Sequence, residues 1–280
     1  PAPLSSPPDE PPRRRAATLA VHAGEPRPAI ADAIGTPLFP SSTYLLGDPE
    51  SFDDIRYVRL NNTPNQRFVA QKLAALEGSE AALVTPSGTA AISLALEAAL
   101  EPGDHVVTMD ALYGGTRKIF DRLLGRWGVT ASYVPADDLD AWARAIRPET
   151  RVLYTESIVN PTLDVPPLAE LAALGRDRGL VSMIDNTLCS PAAYRPIEHG
   201  FDVVLHSASK YLNGHTDVVA GVVAGGADRV EAVRRYANLA GVCLDPHGCH
   251  LLQRGIKTLP LRYPAQARNA MALAERLAAH

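Results

Sequence analysis

No stretch of this 280-residue chain stays apolar for the ~18 residues that a membrane-spanning helix needs, so a helical span is excluded. Cysteine is scarce. Cys189, Cys243 and Cys249 are odd in number and scattered, which argues against a disulfide framework and for a reducing compartment, the cytoplasm by default. Neither sign of charge collects in a long run, and a net charge of −4 gives no reason to expect a nucleic-acid surface. A nucleotide-binding Rossmann domain needs a glycine fingerprint with an acidic residue about 20 positions further on, and none is present. Cys243, His247, Cys249 and His250 gather potential metal ligands, yet their spacing matches no common zinc pattern, so no metal is expected.

What is present is apolar residue enough for a large core, at 46% of the chain. The Pro-rich opening, residues 1–16, offers no core side chains and reads as a disordered arm. Arg13, Arg14 and Arg15 are not followed by the apolar run of an export signal. From 17 to 56, Pro26, Pro28, Pro37, Pro40 and Pro49 forbid long helices and predict an extended arm. Thr63 and Pro64 predict a helix start, with Phe68, Leu73 and Leu76 as its buried stripe and Gly78 as its end.

After that the chain alternates. Strands are predicted at 81–84, 105–109, 129–134, 152–155, 180–184, from 203 up to the lysine at 210, and at 218–223, and helices at 90–100, 116–126, 139–146, 168–178, 228–239 and 264–280. Short strands separated by helices signal right-handed crossovers and a mainly parallel sheet, an α/β architecture. The expected division is an arm over 1–62, an α/β cofactor domain over 63–258, and over 259–280 a helix leading to a C-terminal domain absent from the chain.

The most informative stretch runs from Val203 to Asp217. It sets Lys210 just past an apolar strand, with Ser207 and Ser209 immediately before it. A strand-end lysine with its ammonium in water is the plain alternative. A second strand, however, delivers Asp185 in the same way. An amine and an acid at two strand ends can face one ring, as a pyridine-aldehyde cofactor requires: the lysine engages the aldehyde and the aspartate keeps the ring nitrogen protonated. Pyridoxal 5'-phosphate (PLP) is implied. The turn Thr85-Pro86-Ser87-Gly88-Thr89 joins a strand to a helix N-terminus, where free N–H groups and the helix dipole favour an anion; Ser87, Gly88 and Thr89 are the candidates for the phosphate. An ordinary strand-to-helix turn would look the same. Ser87, Tyr113, Glu156, Asp185 and Lys210 all fall beyond carboxyl ends of strands, where ligands bind in such sheets.

Two motifs, LVSMIDNT over 180–187 and SASKYLNGHTDVVAG over 207–221, resemble the cysteine/methionine-metabolism (transsulfuration) family of PLP enzymes. Its members include cystathionine gamma-synthase, cystathionine gamma- and beta-lyases and methionine gamma-lyase. The resemblance implies the large domain of a fold type I, aspartate aminotransferase-like PLP-transferase. It implies that Tyr57 and Arg59 reach the cofactor phosphate of an adjacent subunit, in a homotetramer built as a dimer of dimers with shared sites. Tyr113 would stack on the pyridine, Asn160 of the ESIVNP segment would lie near the ring oxygen, and Thr187, Ser207 and Ser209 would contact the cofactor. Lys210, Asp185 and Tyr113 are the expected catalytic residues, and a buried site is expected to help Lys210 give up its proton. Two departures stand out: Asn62-Thr63-Pro64 replaces the family's usual Asn-Pro-Thr, and Gly115 stands where methionine gamma-lyases tend to carry cysteine. The implied activity is a lyase or synthase acting on cystathionine or homoserine derivatives. A PLP-binding but catalytically deficient subunit is the alternative, because the family's carboxylate-gripping arginine would lie in the C-terminal domain.

Overall fold

The computed structural model describes residues 14–47 and 55–280. The arm expected to be disordered therefore lies, over 1–13, outside the described residues. In the segment predicted to be extended, Ala16–His22 forms a short helix, α1. Tertiary contact decides this: Ala20 is fully buried, and the ammonium of Lys72, itself fully buried, donates to the carbonyls of Ala20 and Val21, each at 3.0 Å. Glu25 completes the tie, 3.4 Å from Lys72 and 2.8 Å from Lys257. Burial pushes the Lys72 ammonium down to about 8.

The helix expected after Thr63 is α2, Pro64–Glu77. Gln66 Oε1 accepts from the Thr63 N–H at 3.1 Å and from its hydroxyl at 2.9 Å, while Gly78 ends the helix at φ +74°. The order Asn-Thr-Pro thus puts threonine at the cap and proline at the first helical position, and Asn62 holds the turn by accepting from the Tyr57 N–H at 3.0 Å. Leu73 and Leu76 are buried as expected, whereas Phe68 is only half-buried and Val69 takes its place.

Seven strands make one sheet: β1 (Ala81–Thr85), β2 (His105–Met109), β3 (Thr130–Val134), β4 (Thr150–Glu156), β5 (Val181–Asp185), β6 (Val203–Ser207) and β7 (Gly221–Gly225), in the order β1-β7-β6-β5-β4-β2-β3. Only β7 runs antiparallel to its neighbours, β6 and β1. The crossovers are α3 (Gly88–Glu97), α4 (Gly114–Lys118, which continues in altered helical turns to Trp127), α5 (Leu139–Ala145), α6 (Leu168–Asp177) and α7 (Ser190–Ala193). Then come α8 (Ala227–Ala240), α9 (Pro246–Ile256) and α10 (Leu259–Ala278). Successive strand residues alternate between two apolar layers: Leu83, Met183, Leu205 and Val223 pack in one, Val84, Ile184, Val204 and Val222 in the other. A sheet covered on both faces explains why these strands read as near-continuous apolar runs.

Several boundaries differ from expectation, two of them for a visible reason. The last strand begins at Gly221 because Ala220 is used by Ser209, and α10 begins before Pro264, which forfeits one backbone bond without ending the helix. Met271, Leu273 and Leu277 on α10 are exposed. Of the possible metal ligands, Cys249 is buried in the second layer, and Asp245 caps α9 by accepting from the N–H groups of His247 and Gly248. No helix among the described residues is long and apolar enough to cross a membrane.

Candidate active site

The carboxyl ends of β1, β2, β4, β5 and β6 share one edge of the sheet, and the predicted chemistry collects there. Asp185 ends β5 and pairs across to Leu205 on β6; Lys210 lies three residues beyond the end of the same β6, its N–H on the Ser207 carbonyl at 3.1 Å. Adjacent strands lie ~4.8 Å apart, so the acid and the amine leave neighbouring strand ends.

Thr187 orients the acid. Its N–H and its hydroxyl both donate to Asp185 Oδ1, and the same hydroxyl accepts the Ser207 N–H at 2.7 Å, tying β5 to β6. Asp185 Oδ2 has no partner among the described residues. Burial holds the Asp185 carboxyl above its ordinary value, the Thr187 bonds and the nearby His206 offsetting only part of the rise. His206, on β6, is itself buried against Glu77 of α2 at 2.6 Å.

Gly88 shows how closely the 85–89 turn meets the strand that leads to Lys210. A Cβ there would lie 2.7 Å from Ser207 Cβ, and one on Gly221 would lie 2.1 Å from the Ser87 carbonyl, so both positions require glycine. Ser87 caps α3 by accepting the Ala90 N–H at 3.0 Å. The Gly88 and Thr89 amides, at the start of the helix, have no helical carbonyl to bond.

The two serines before the lysine part company. Ser207 Oγ has no protein partner among the described residues, whereas the Ser209 hydroxyl donates to the Ala220 carbonyl at 3.3 Å and accepts the Ala220 N–H at 2.9 Å. Ser209 is thereby tied to the residue that precedes β7. Lys210 is also exposed, and the burial expected around it is not seen.

Tyr113 and Asn160 come from loops after β2 and β4, and one residue holds both. Glu156, 4% exposed at the end of β4, accepts the Tyr113 N–H on Oε1 at 2.8 Å and the Asn160 N–H on Oε2 at 3.1 Å. The Tyr113 ring is half exposed and lies over Gly115, where a Cβ would come within 2.5 Å of it. The sequence marked Glu156 as one of five edge residues but carried no sign of this double clasp, because its partners are backbone groups.

Burial, and then the charge of Asp185, push Glu156 up to about 7. A folded-state value above the unfolded one means that this group's stabilisation is present at low pH and lost as pH rises through the folded value. Between pH 4.5 and about 7, Glu156 is expected to take about 3 kcal/mol from the stability of the cofactor-free chain. Urea unfolding across that range should show the decline, and Glu156→Gln should flatten it. An identical slope in the variant would remove Glu156 as its source.

Tyr57 and Arg59 do not join this cluster. They form a turn before α2, with Arg59 5.3 Å from the Tyr57 ring centroid and its Nη1 on the Asn238 carbonyl of α8 at 3.2 Å.

An amine and an acid on adjacent strand ends, beside a helix N-terminus, define an α/β enzyme built around PLP. Comparison with known proteins gives the same class. The chain matches the Cys/Met metabolism PLP-dependent enzyme family over residues 17–280, and it belongs to that family. It is 38% identical over 268 residues to a probable cystathionine gamma-synthase of Herpetosiphon aurantiacus, covering 94% of this chain and 82% of that one. It is 40% identical over 267 residues to the cystathionine gamma-synthase of Mycobacterium tuberculosis H37Rv, covering 94% and 68%. Among solved structures, cystathionine gamma-lyase from Lactobacillus plantarum complexed with L-serine superposes with a TM-score of 0.91 at 35% identity, covering 95% of this chain and 70% of that one. The protein is a PLP-dependent enzyme of sulfur amino-acid metabolism.

The residues present fit the cofactor. Asp185 keeps one carboxylate oxygen for a ring N–H, Ser207 keeps a hydroxyl for the phosphate, and the glycines at 88 and 221 keep the turn closed against β6 and β7.

Proposed function

We propose that this enzyme makes or breaks the carbon–sulfur bond of cystathionine, or of a related homoserine derivative, by elimination or replacement at the β or γ carbon. The supporting observation is the pairing of Asp185 and Lys210 on adjacent strand ends, in a chain whose relatives carry both synthase and lyase names. PLP held there supplies an aldehyde for the substrate amine and a ring that takes up electrons from the substrate α carbon.

This chain's own groups do the rest. Asp185 Oδ2 would accept the ring N–H and keep it protonated. With the cofactor bound, Lys210 would hold the aldehyde through its amine and, when not so engaged, would move the proton of the substrate α carbon. The Gly88 and Thr89 amides, the Ser87 turn and the Ser207 hydroxyl take the phosphate. Tyr113 would cover the ring face and Asn160 would stand beside the substrate carboxylate, both being clasped by Glu156.

Tyr57 and Arg59 serve the phosphate of a second copy, so the active unit is at least a dimer. Arg suits this because its planar fork binds phosphate oxygens in pairs. Arg59→Ala should weaken PLP binding by roughly tenfold to a hundredfold, the worth of a charge-assisted pair of bonds. Equilibrium dialysis reads this directly; unaltered affinity would count against a shared site.

The substrate class is tested by offering cystathionine, O-acylhomoserine with cysteine, and methionine side by side to the PLP-loaded protein, following thiol, keto acid and new thioether. Turnover of the first or second supports the proposal. Methionine alone would overturn it. Silence with all three, despite bound cofactor, would favour a catalytically deficient subunit.

A further inference from the structure

Arg262, in the first turns of α10, is half-buried and has no carboxylate within ion-pair reach among the described residues. Its guanidinium is bonded instead to backbone. Nη1 donates to the Tyr211 carbonyl at 3.0 Å, and Nη2 to the carbonyls of Leu212 at 3.2 Å, Asn213 at 3.3 Å and Gly255 at 3.0 Å. Nε donates to Thr258 Oγ1 at 2.9 Å. Three of these carbonyls are consecutive, and they directly follow Lys210.

The space is cleared for it. A Cβ on Gly214 would lie 1.9 Å from Arg262 Nη1, and one on Gly255 would lie 2.4 Å from the Asn213 carbonyl. The turn is otherwise closed by local bonds, with the Gly214 N–H on the Lys210 carbonyl at 2.7 Å and the Asn213 N–H on the Ala208 carbonyl at 2.9 Å. A planar fork of five donors can gather carbonyls that face away from the strand; a lysine ammonium cannot span them.

We propose that Arg262 is a positioning residue: it holds the 211–213 turn, and thereby sets the direction in which Lys210 leaves the sheet edge toward the cofactor aldehyde. The proposal rests on the reading of Lys210 as the cofactor-bound amine. Its consequence is that the placement of α10 governs that amine, although no residue of α10 belongs to the predicted site.

The test loads unaltered protein, Arg262→Gln and Arg262→Lys with PLP and measures two quantities. One is total cofactor retained, which reports the phosphate turn and Asp185. The other is the share fixed to Lys210 by borohydride, located by peptide mass. Borohydride adds hydride to the carbon–nitrogen double bond that amine and aldehyde form with loss of water. Retained cofactor should stay within about threefold, while the share fixed on Lys210 falls roughly tenfold in Arg262→Gln and less in Arg262→Lys, as expected when charge-assisted bonds are removed. Without cofactor, amide exchange over residues 208–217 should rise about tenfold or more, with the rest of the sheet unchanged.

An unchanged share on Lys210 in either folded variant overturns the proposal. So does a parallel loss of retention and fixation in both, which would make Arg262 a plain structural residue. If the label in unaltered protein maps to another lysine, the reading of Lys210 is what fails, and the two failures are distinguishable.

Discussion

Lys210→Ala is expected to abolish the yellow absorption of the PLP-loaded protein and to reduce turnover on the order of a thousandfold or more, because the variant loses both the amine that engages the aldehyde and the base that moves the proton. The substitution isolates this effect unusually well. Lys210 is exposed, and its backbone bonds to Ser207 and Gly214 do not depend on its side chain, so the change should cost no more than about 0.5 kcal/mol of stability. Cofactor should still bind, held by Ser207, Gly88, Thr89 and Asp185. Absorption spectra after gel filtration, with retained phosphate measured in parallel, check both halves. A variant that stays yellow would remove the central assignment.

Asp185→Asn is the second large effect, a fall in turnover of about 10²–10³-fold, comparable to deleting one preorganised polar partner in other enzymes. Asparagine keeps the shape and can still accept from Thr187, but it presents an amide where a carboxylate must meet the ring N–H. The stability change should have the opposite sense. Burial raises the Asp185 carboxyl, so the ionised form is held at a cost in the cofactor-free chain, and the neutral amide relieves it. The expected pair of results is a melting midpoint at pH 7 that is unchanged or higher, with turnover lost. Retained turnover would mean that Asp185 does not face the ring; a lower midpoint would mean that its charge is better paired than the Thr187 and His206 contacts provide.

Much of this arrangement was legible beforehand. The strand at 105–109 coincides with β2, and the helix predicted at 168–178 differs from α6 by one residue, because both are bounded by local breakers and carry a regular apolar pattern. The α1 helix was missed for the opposite reason: its seven residues are too short to be stable by propensity, and they hold through Ala20 packing and Lys72. Lys72 itself gave no warning, since a lysine in a helical stripe reads as exposed until its carbonyl acceptors, some fifty positions away, are known. The difference between Ser207 and Ser209 was not legible, because Ser-x-Ser before a lysine does not say which hydroxyl will meet Ala220.

By itself the sequence determined the alternation of strands and helices, and with it the edge on which the amine, the acid and the glycine turn would gather. Those features follow from periodicity and chain breakers, which act between near neighbours. Only the tertiary structure decided how each group is held: Thr187 on Asp185 and Ser207, Glu156 across two loops, and Arg262 on three carbonyls after Lys210. The reason is physical. Those partners are mostly backbone N–H and C=O groups, which every residue carries alike, so which of them a side chain meets depends on where the folded chain brings them and leaves no mark in the order of side chains.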